Sequence, residues 1–323
     1  MNLFELDPKD YQRVKNLGAA AGEIHLSVAA VIEGAAEGEI HVDDEEHPTL
    51  CVVEGPEGTY LLSEGALSPD AAEALADHLD DWVYLHVAGG EPPQTALPNA
   101  YMLRHSRLVF SLPLDASPPQ ALPSGYAVVQ EADDFGHRIY FGEQEVSRCL
   151  PDVISGSRAE IGVWTHADHR RRGLASHALG ATLRAAGAAG IAHMGWHCHA
   201  SNAGSIALAR SMGAGDPKST LAYSASLPAE NQGDLTEGEW LDLAQHFLAG
   251  RDEIGWLGFH AACAFACAGE TDLALDAVDR LVDDRWHGSP SWLINNWALA
   301  GLVTHPRMLA AVARLERQKA PPV

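Results

Sequence analysis

His166-Ala167-Asp168-His169-Arg170-Arg171-Arg172-Gly173-Leu174-Ala175-Ser176 is the stretch on which the reading of this chain turns. An apolar, strand-like run precedes it, from Ala159 to Thr165. A helix-like run follows, from Leu174 to Ala189. A strand, a short loop holding a glycine and the start of a helix together make a cradle for phosphate. The free N–H groups of the first turn face the anion, and the helix dipole favours it. The three arginines stand out because the chain is otherwise acidic, with 21 Lys+Arg against 44 Asp+Glu. A local basic knot on an acidic protein calls for a specific anionic ligand.

The order continues with a second strand-like run, Ile191 to Cys198, and then a helix-like run from Asn202 that stops at Gly213. The spacing Arg170-x-x-Gly173-x-Ala175, with these flanks over Ala159 to Tyr223, resembles the acyl-CoA pyrophosphate motif of the GNAT superfamily of N-acetyltransferases. The resemblance implies an α/β fold, a mixed sheet with flanking helices. It implies acetyl-CoA as cofactor and transfer of an acetyl group to a primary amine by direct attack.

Residue roles follow from it. The amides of Arg171, Arg172, Gly173, Leu174, Ala175 and Ser176 are expected to wrap the pyrophosphate, with Arg170 and its neighbours reaching phosphate oxygens. Val163 and Thr165 are expected to meet the pantetheine arm through main-chain groups. Asn202 and Ser205 open the next helix, where the superfamily contacts that arm; a helix cap is the competing role for Asn202. Glu160 alternates onto the opposite strand face and is expected, with a raised pKa, to be the general base. The tyrosine that many relatives place in the helix after Asn202, near Ala209, is absent, so Tyr223 stands as a substitute acid. His193, His197 and His199 share one strand face. A single strand makes poor ligand geometry, so no metal is expected, and His197 is an auxiliary base candidate.

Composition frames these roles. A net charge of −23 argues against nucleic acid or anionic membrane as partner. No apolar run approaches a bilayer span, no signal peptide is visible, and five scattered cysteines suggest no disulfide framework, so a cytoplasmic location is expected.

Three segments are expected. Residues 1–117 read as an α/β domain resembling the degenerate first half of two-part acetyltransferases, with strands at Ile24–Val31, Leu50–Val53, Tyr60–Leu62 and Trp82–Val87 and a helix at Pro69–Leu79 capped by Ser68. Residues 118–228 carry the motif, after a linker punctuated by Pro113, Pro118, Pro119 and Pro123. The acceptor pocket is expected to involve the loop around Gly136 to Glu145. Residues 233–318 read as helical, with a Thr236/Glu239 capping box, a restart at Gly269 and a helix over Ser291–Val303. The spacing of Ala262, Phe265, Gly269 and Ala274 resembles one tetratricopeptide-like (TPR-like) hairpin.

A catalytically lapsed acyl-CoA sensor, using its helical tail for a protein partner or for self-association, is the alternative to an enzyme. An interaction scaffold whose arginine loop binds another anion is a third reading. The acceptor, a small-molecule or protein amine, is not legible. Pro321-Pro322-Val323 is expected to fray.

Overall fold

The structure is a computed structural model that describes residues 1–88, 90–118 and 120–319; the expected frayed end lies outside them. The chain divides into two compact units. One comprises Met1–Leu79, Val83–Pro98 and His105–Tyr223, the other Asp80–Trp82, Asn99–Arg104 and Ser224–Val323.

The first unit is built on one mixed sheet. Its strands are β1 (Phe4–Glu5), β2 (Glu39–Val42), β3 (Leu50–Gly55), β4 (Gly58–Ser63), β5 (Leu85–Ala88) and β6 (Leu103–Leu112). They are followed by β7 (Tyr126–Gln130), β8 (His137–Phe141), β9 (Gln144–Ser155), β10 (Arg158–Thr165), β11 (His193–His199) and β12 (Lys218–Ser224). In space they run β1-β2-β3-β4-β5-β12-β6-β11-β10-β9-β8-β7. The order is a duplication. Each half is a short antiparallel meander, then a parallel pair joined by a crossover helix, then a last strand. The last strands are exchanged, so β12 pairs with β5 of the first half and β6 with β11 of the second.

The crossover helices are α3 (Pro69–His78) in the first half and α4 (Leu174–Ala188) in the second. Ser68 caps α3 through its side chain, with Pro69 at the first helical position, as the sequence implies. Helix α4 packs Leu174, Ala178, Leu179, Leu183 and Ala186 onto Ile139, Cys149, Ala159 and Ile161 of the sheet. On another side of α4 the 113–118 segment runs close, and a methyl group at Gly180 would already press on Pro118. Two further helices, α1 (Lys15–Gly22) and α2 (Leu26–Ile32), cover the other face. The Ile24–Val31 run is therefore helical, not a strand. A short apolar run cannot be assigned by period alone, and here its residues are buried almost all round. The Gly136–Glu145 stretch is likewise strand β8 and its hairpin, not a loop. Helix α5 (Ala203–Ser211) follows β11.

The second unit is helical, as the sequence implies, with α6 (Glu237–Gly250), α7 (Leu257–Cys267), α8 (Thr271–Asp283), α9 (Pro290–Asn295) and α10 (Pro306–Lys319). Thr236 and Glu239 make both bonds of the capping box. Helices α7 and α8 form a hairpin turned at Gly269, whose φ of +84° suits glycine. The Ser291–Val303 helix is broken instead: Asn296 ends α9 and its side chain caps a 3₁₀ turn at Trp297–Leu302. A cavity of about 670 Å³, walled by Trp256, Phe259, Trp286 and Trp292, lies wholly within this unit. The five cysteines are buried and free. Among the described residues no helix is long and apolar enough to cross a membrane.

Leu183 is fully buried between α4 and the sheet. Leu183→Ala is expected to destabilise the protein by about 2–5 kcal/mol, read as a lower midpoint in urea unfolding.

Candidate active site

Strands β10 and β11 run parallel but pair only through Arg158–His193, Ala159–Met194 and Glu160–Gly195. Beyond Glu160, β10 stays bound to β9 as far as Thr165 and leaves β11. A bulge at this point opposes Glu160 and Ile161 to Val153 and Pro151, so Asp152 is the extra residue. Proline suits the bulge because it brings no N–H to the ladder. Among the described residues the first half shows no such parting: β4 and β5 pair from Thr59–Leu85 to Leu62–Ala88.

The parted edge carries polar backbone. His166 N donates to Val146 O of β9, so alternation turns the main-chain groups of Val163 and Thr165 the other way, toward the gap. The Val163 side chain packs on the α4 core, and the Thr165 hydroxyl lies 2.8 Å from that of Ser147.

The loop below the gap takes the expected form. Arg171 has φ +62° and Gly173 +79°, two left-handed residues that fold the loop tightly into the start of α4. Gly173 is the N-cap of α4 and offers no side chain to its first turn. Among the described residues, the N–H groups of Arg171 to Ser176 have no protein acceptor. Arg170 Nε donates to Thr165 O, and Arg172 to Tyr126 Oη and Asp168 O, which brace the loop. Ser176 is buried in the first turn, beside Leu174 and Ala175. The exposed Gln120 amide lies over Gly173, where a Cβ would collide with it. Asn202 is a helix cap: its Oδ1 accepts from Ser205 N at 2.9 Å.

Glu160 sits where the strands part, only 5% exposed. Gly195 opposite makes room, since a Cβ there would lie 2.9 Å from Glu160 Cγ. Glu160 Oε1 accepts from Leu26 N at 2.8 Å, which caps α2, and stands 3.1 Å from His197 Nε2. Glu57 faces Glu160 from the β3–β4 turn, with Ser27 Oγ 3.5 Å away. The rings of His25, Tyr60 and His86 pack beside them, His25 lying 5.1 Å from His197 and 4.7 Å from His86.

Burial raises Glu160, but His197, Glu57 and the Leu26 N–H outweigh it and leave its carboxyl at about 2. Burial and the facing Glu160 push Glu57 up to about 9. The two carboxyls thus hold one proton, and Glu57 keeps it because Glu160 has the better donors. Burial, then Glu160, raises Asp152 to about 6. Burial holds His25 and His199 down at about 3 and His86 well below the usual value, so these three are neutral. The raised pKa expected of Glu160 belongs to Glu57, which the sequence did not mark because a turn residue two strands away gives no local signal.

Tyr223 is not brought to this cluster. Its neighbour Ala222 pairs with His86, so alternation turns Tyr223 to the opposite face of the sheet. His193 lies at the exposed end of β11, while His199 joins His105 and Tyr84 along the cluster's face.

Residues 130–223 match the GNAT acetyltransferase family model. A GCN5-related N-acetyltransferase-like protein from Streptococcus suis is 18% identical, with a TM-score of 0.51 over 67% of this chain and 98% of that one. The fold is that of the GNAT acetyltransferases. Also similar are a GCN5-related N-acetyltransferase from Sphaerobacter thermophilus (14% identity, TM-score 0.47, 69% of this chain and 95% of that one) and a tandem GNAT protein of the clavulanic acid pathway (13%, 0.43, 70% and 99%). No curated protein matches the chain.

The Glu57 proton sets a pH dependence. The folded chain keeps it to about pH 9, whereas an unfolded glutamate releases it near 4.5. The stabilisation is complete below the unfolded value and is lost as pH rises from there toward 9. Glu57→Gln is expected to flatten the fall in melting temperature across that window, read from thermal melts at stepped pH; an unchanged slope would refute the assignment.

Proposed function

We propose that the chain is an acyl-CoA-dependent N-acetyltransferase that acylates a primary amine. The parting of β10 from β11 at Glu160, on the strand whose loop leads into an uncapped helix N-terminus, carries this reading. The family match and the fold support a transferase role.

The loop fits a diphosphate. Its left-handed glycine, the amides of Arg171 to Ser176 and the uncapped α4 are what a bound anion needs, and the Arg171 guanidinium adds charge at the rim. The main-chain groups of Val163 and Thr165 would hold the pantetheine arm. Acetyl-CoA, when bound, supplies the thioester carbonyl that the amine attacks.

The other work falls to this chain's own residues. Glu160, already ionised, is a weak base by itself. It stands 3.1 Å from His197 Nε2, so His197 is assigned the base that takes the ammonium proton and Glu160 the carboxylate that orients its ring. Glu57 carries a proton beside them and is assigned the acid in place of Tyr223. The acceptor's cationic end would be drawn to Glu160 and Asp152. Asn202 is retained as the cap that fixes α5 at the cofactor side. The TPR-like hairpin is read as a surface for a protein partner or a second copy of the chain. The depressed Glu160 and displaced Tyr223 keep a lapsed acyl-CoA sensor as the second reading.

Release of free thiol from acetyl-CoA with a panel of amines tests the activity. Glu160→Gln and His197→Ala should each lower kcat by about 10²–10⁴ while calorimetric CoA affinity holds. Gly173→Glu should abolish CoA binding. CoA binding without turnover on any amine would favour the sensor; no CoA binding at all would end both readings.

A further inference from the structure

We propose that His41, Glu54 and His78 form a site for one zinc ion in the first half of the sheet. The β2–β3 register sets His41 opposite Val52, and Glu54 lies two residues beyond, on the same face. Helix α3 ends over that face at His78. One nitrogen from each histidine and one Glu54 oxygen lie within 4.8 Å of one another.

The spacing is that of ligands, not of hydrogen-bonded partners. His41 Nδ1 is 3.9 Å and His78 Nε2 3.7 Å from the same oxygen, Glu54 Oε1. Both distances exceed an N–H···O bond of about 2.7–3.2 Å. Zinc bonds of about 2.0–2.2 Å hold tetrahedral ligand atoms about 3.3 Å apart, roughly half an ångström closer than either nitrogen stands to Glu54 Oε1, so the three side chains would draw in around the ion. His41 Nδ1 is moreover buried, with no hydrogen-bond partner among the described residues. The two rings already pack at 4.4 Å between centroids.

The surroundings favour a cation. His78 lies in the last turn of α3, where the helix dipole is negative. Glu54 is 46% exposed, so solvent can supply a fourth ligand. Two imidazoles and a carboxylate are a borderline donor set that selects zinc over magnesium or calcium. The ion would pin the C-terminal end of α3 to β2 and β3, as the Ser68 cap fixes its beginning. The site belongs to the half without a cleft and is independent of the acyl-transfer reading.

Full-length protein stripped by a chelator and titrated calorimetrically with zinc should bind one equivalent at this site, and cobalt should show the visible bands of a tetrahedral complex. His41→Ala and His78→Ala should each weaken zinc by more than about 100-fold, beyond the loss of an outer-shell partner. Glu54→Gln, at an exposed position that folding tolerates, should weaken it too and remove the cobalt bands, while His193→Ala changes nothing. Absence of zinc binding, or binding that survives the His41, His78 and Glu54 substitutions, would overturn the proposal.

Discussion

A parallel pair of strands that stops pairing after Glu160 and Gly195 leaves a row of backbone donors and acceptors inside a folded domain. Buried groups of this kind need partners. Among the described residues, β9 holds the far edge of β10 through Thr165, while on the near side only Thr165 O is met, by Arg170 Nε. The near edge is available to something else that can accept and donate along an extended line. The bulge at Asp152 bends the ladder at that point, and Gly195 removes the side chain that would otherwise fill the apex. Glu160 can be buried there because an N–H of α2 and the imidazole of His197 compensate its charge.

The first half shows what the same architecture becomes without those features. Its parallel pair is closed, its crossover helix is capped by its own serine, and its loop has no arginine–glycine pattern. An N-terminus satisfied by Ser68 has no amide at that position left for phosphate. The half is retained for a different reason. It lends α2, the Glu57 turn, Tyr60 and His86 to the wall around Glu160, and the second half has no helices of its own between β7 and β8 to do so.

The sequence made legible what is encoded locally. The strand–loop–helix around Gly173, the Ser68 cap, the Thr236 box and the stop at Gly269 all depend on residues within a few positions of one another. What it concealed depends on distant partners. Ile24–Val31 reads as a strand until its burial on most sides is known. Glu57 is a plain turn glutamate until the sheet sets it against Glu160, more than a hundred residues away. Tyr223 is a reasonable acid on the line of sequence and is excluded from that site only by the register of Ala222 with His86.

The exchange of last strands ties these observations together. Strand β12 closes the first half and β6 abuts the second, so neither half completes its sheet from its own segment. A half folded alone would expose a long strand edge next to the positions that form the site, a ready template for aberrant pairing. The pairings that prevent this join residues such as Leu85 and Tyr223, far apart in sequence, and contacts of that range form slowly because loop closure must precede them. Glu160 therefore acquires its burial, its Leu26 donor and its Glu57 neighbour only when both halves have closed on each other. The electrostatics of the site are a property of the assembled sheet, and a fragment carrying only the recognisable motif would hold the Gly173 loop without the carboxylate environment beside it.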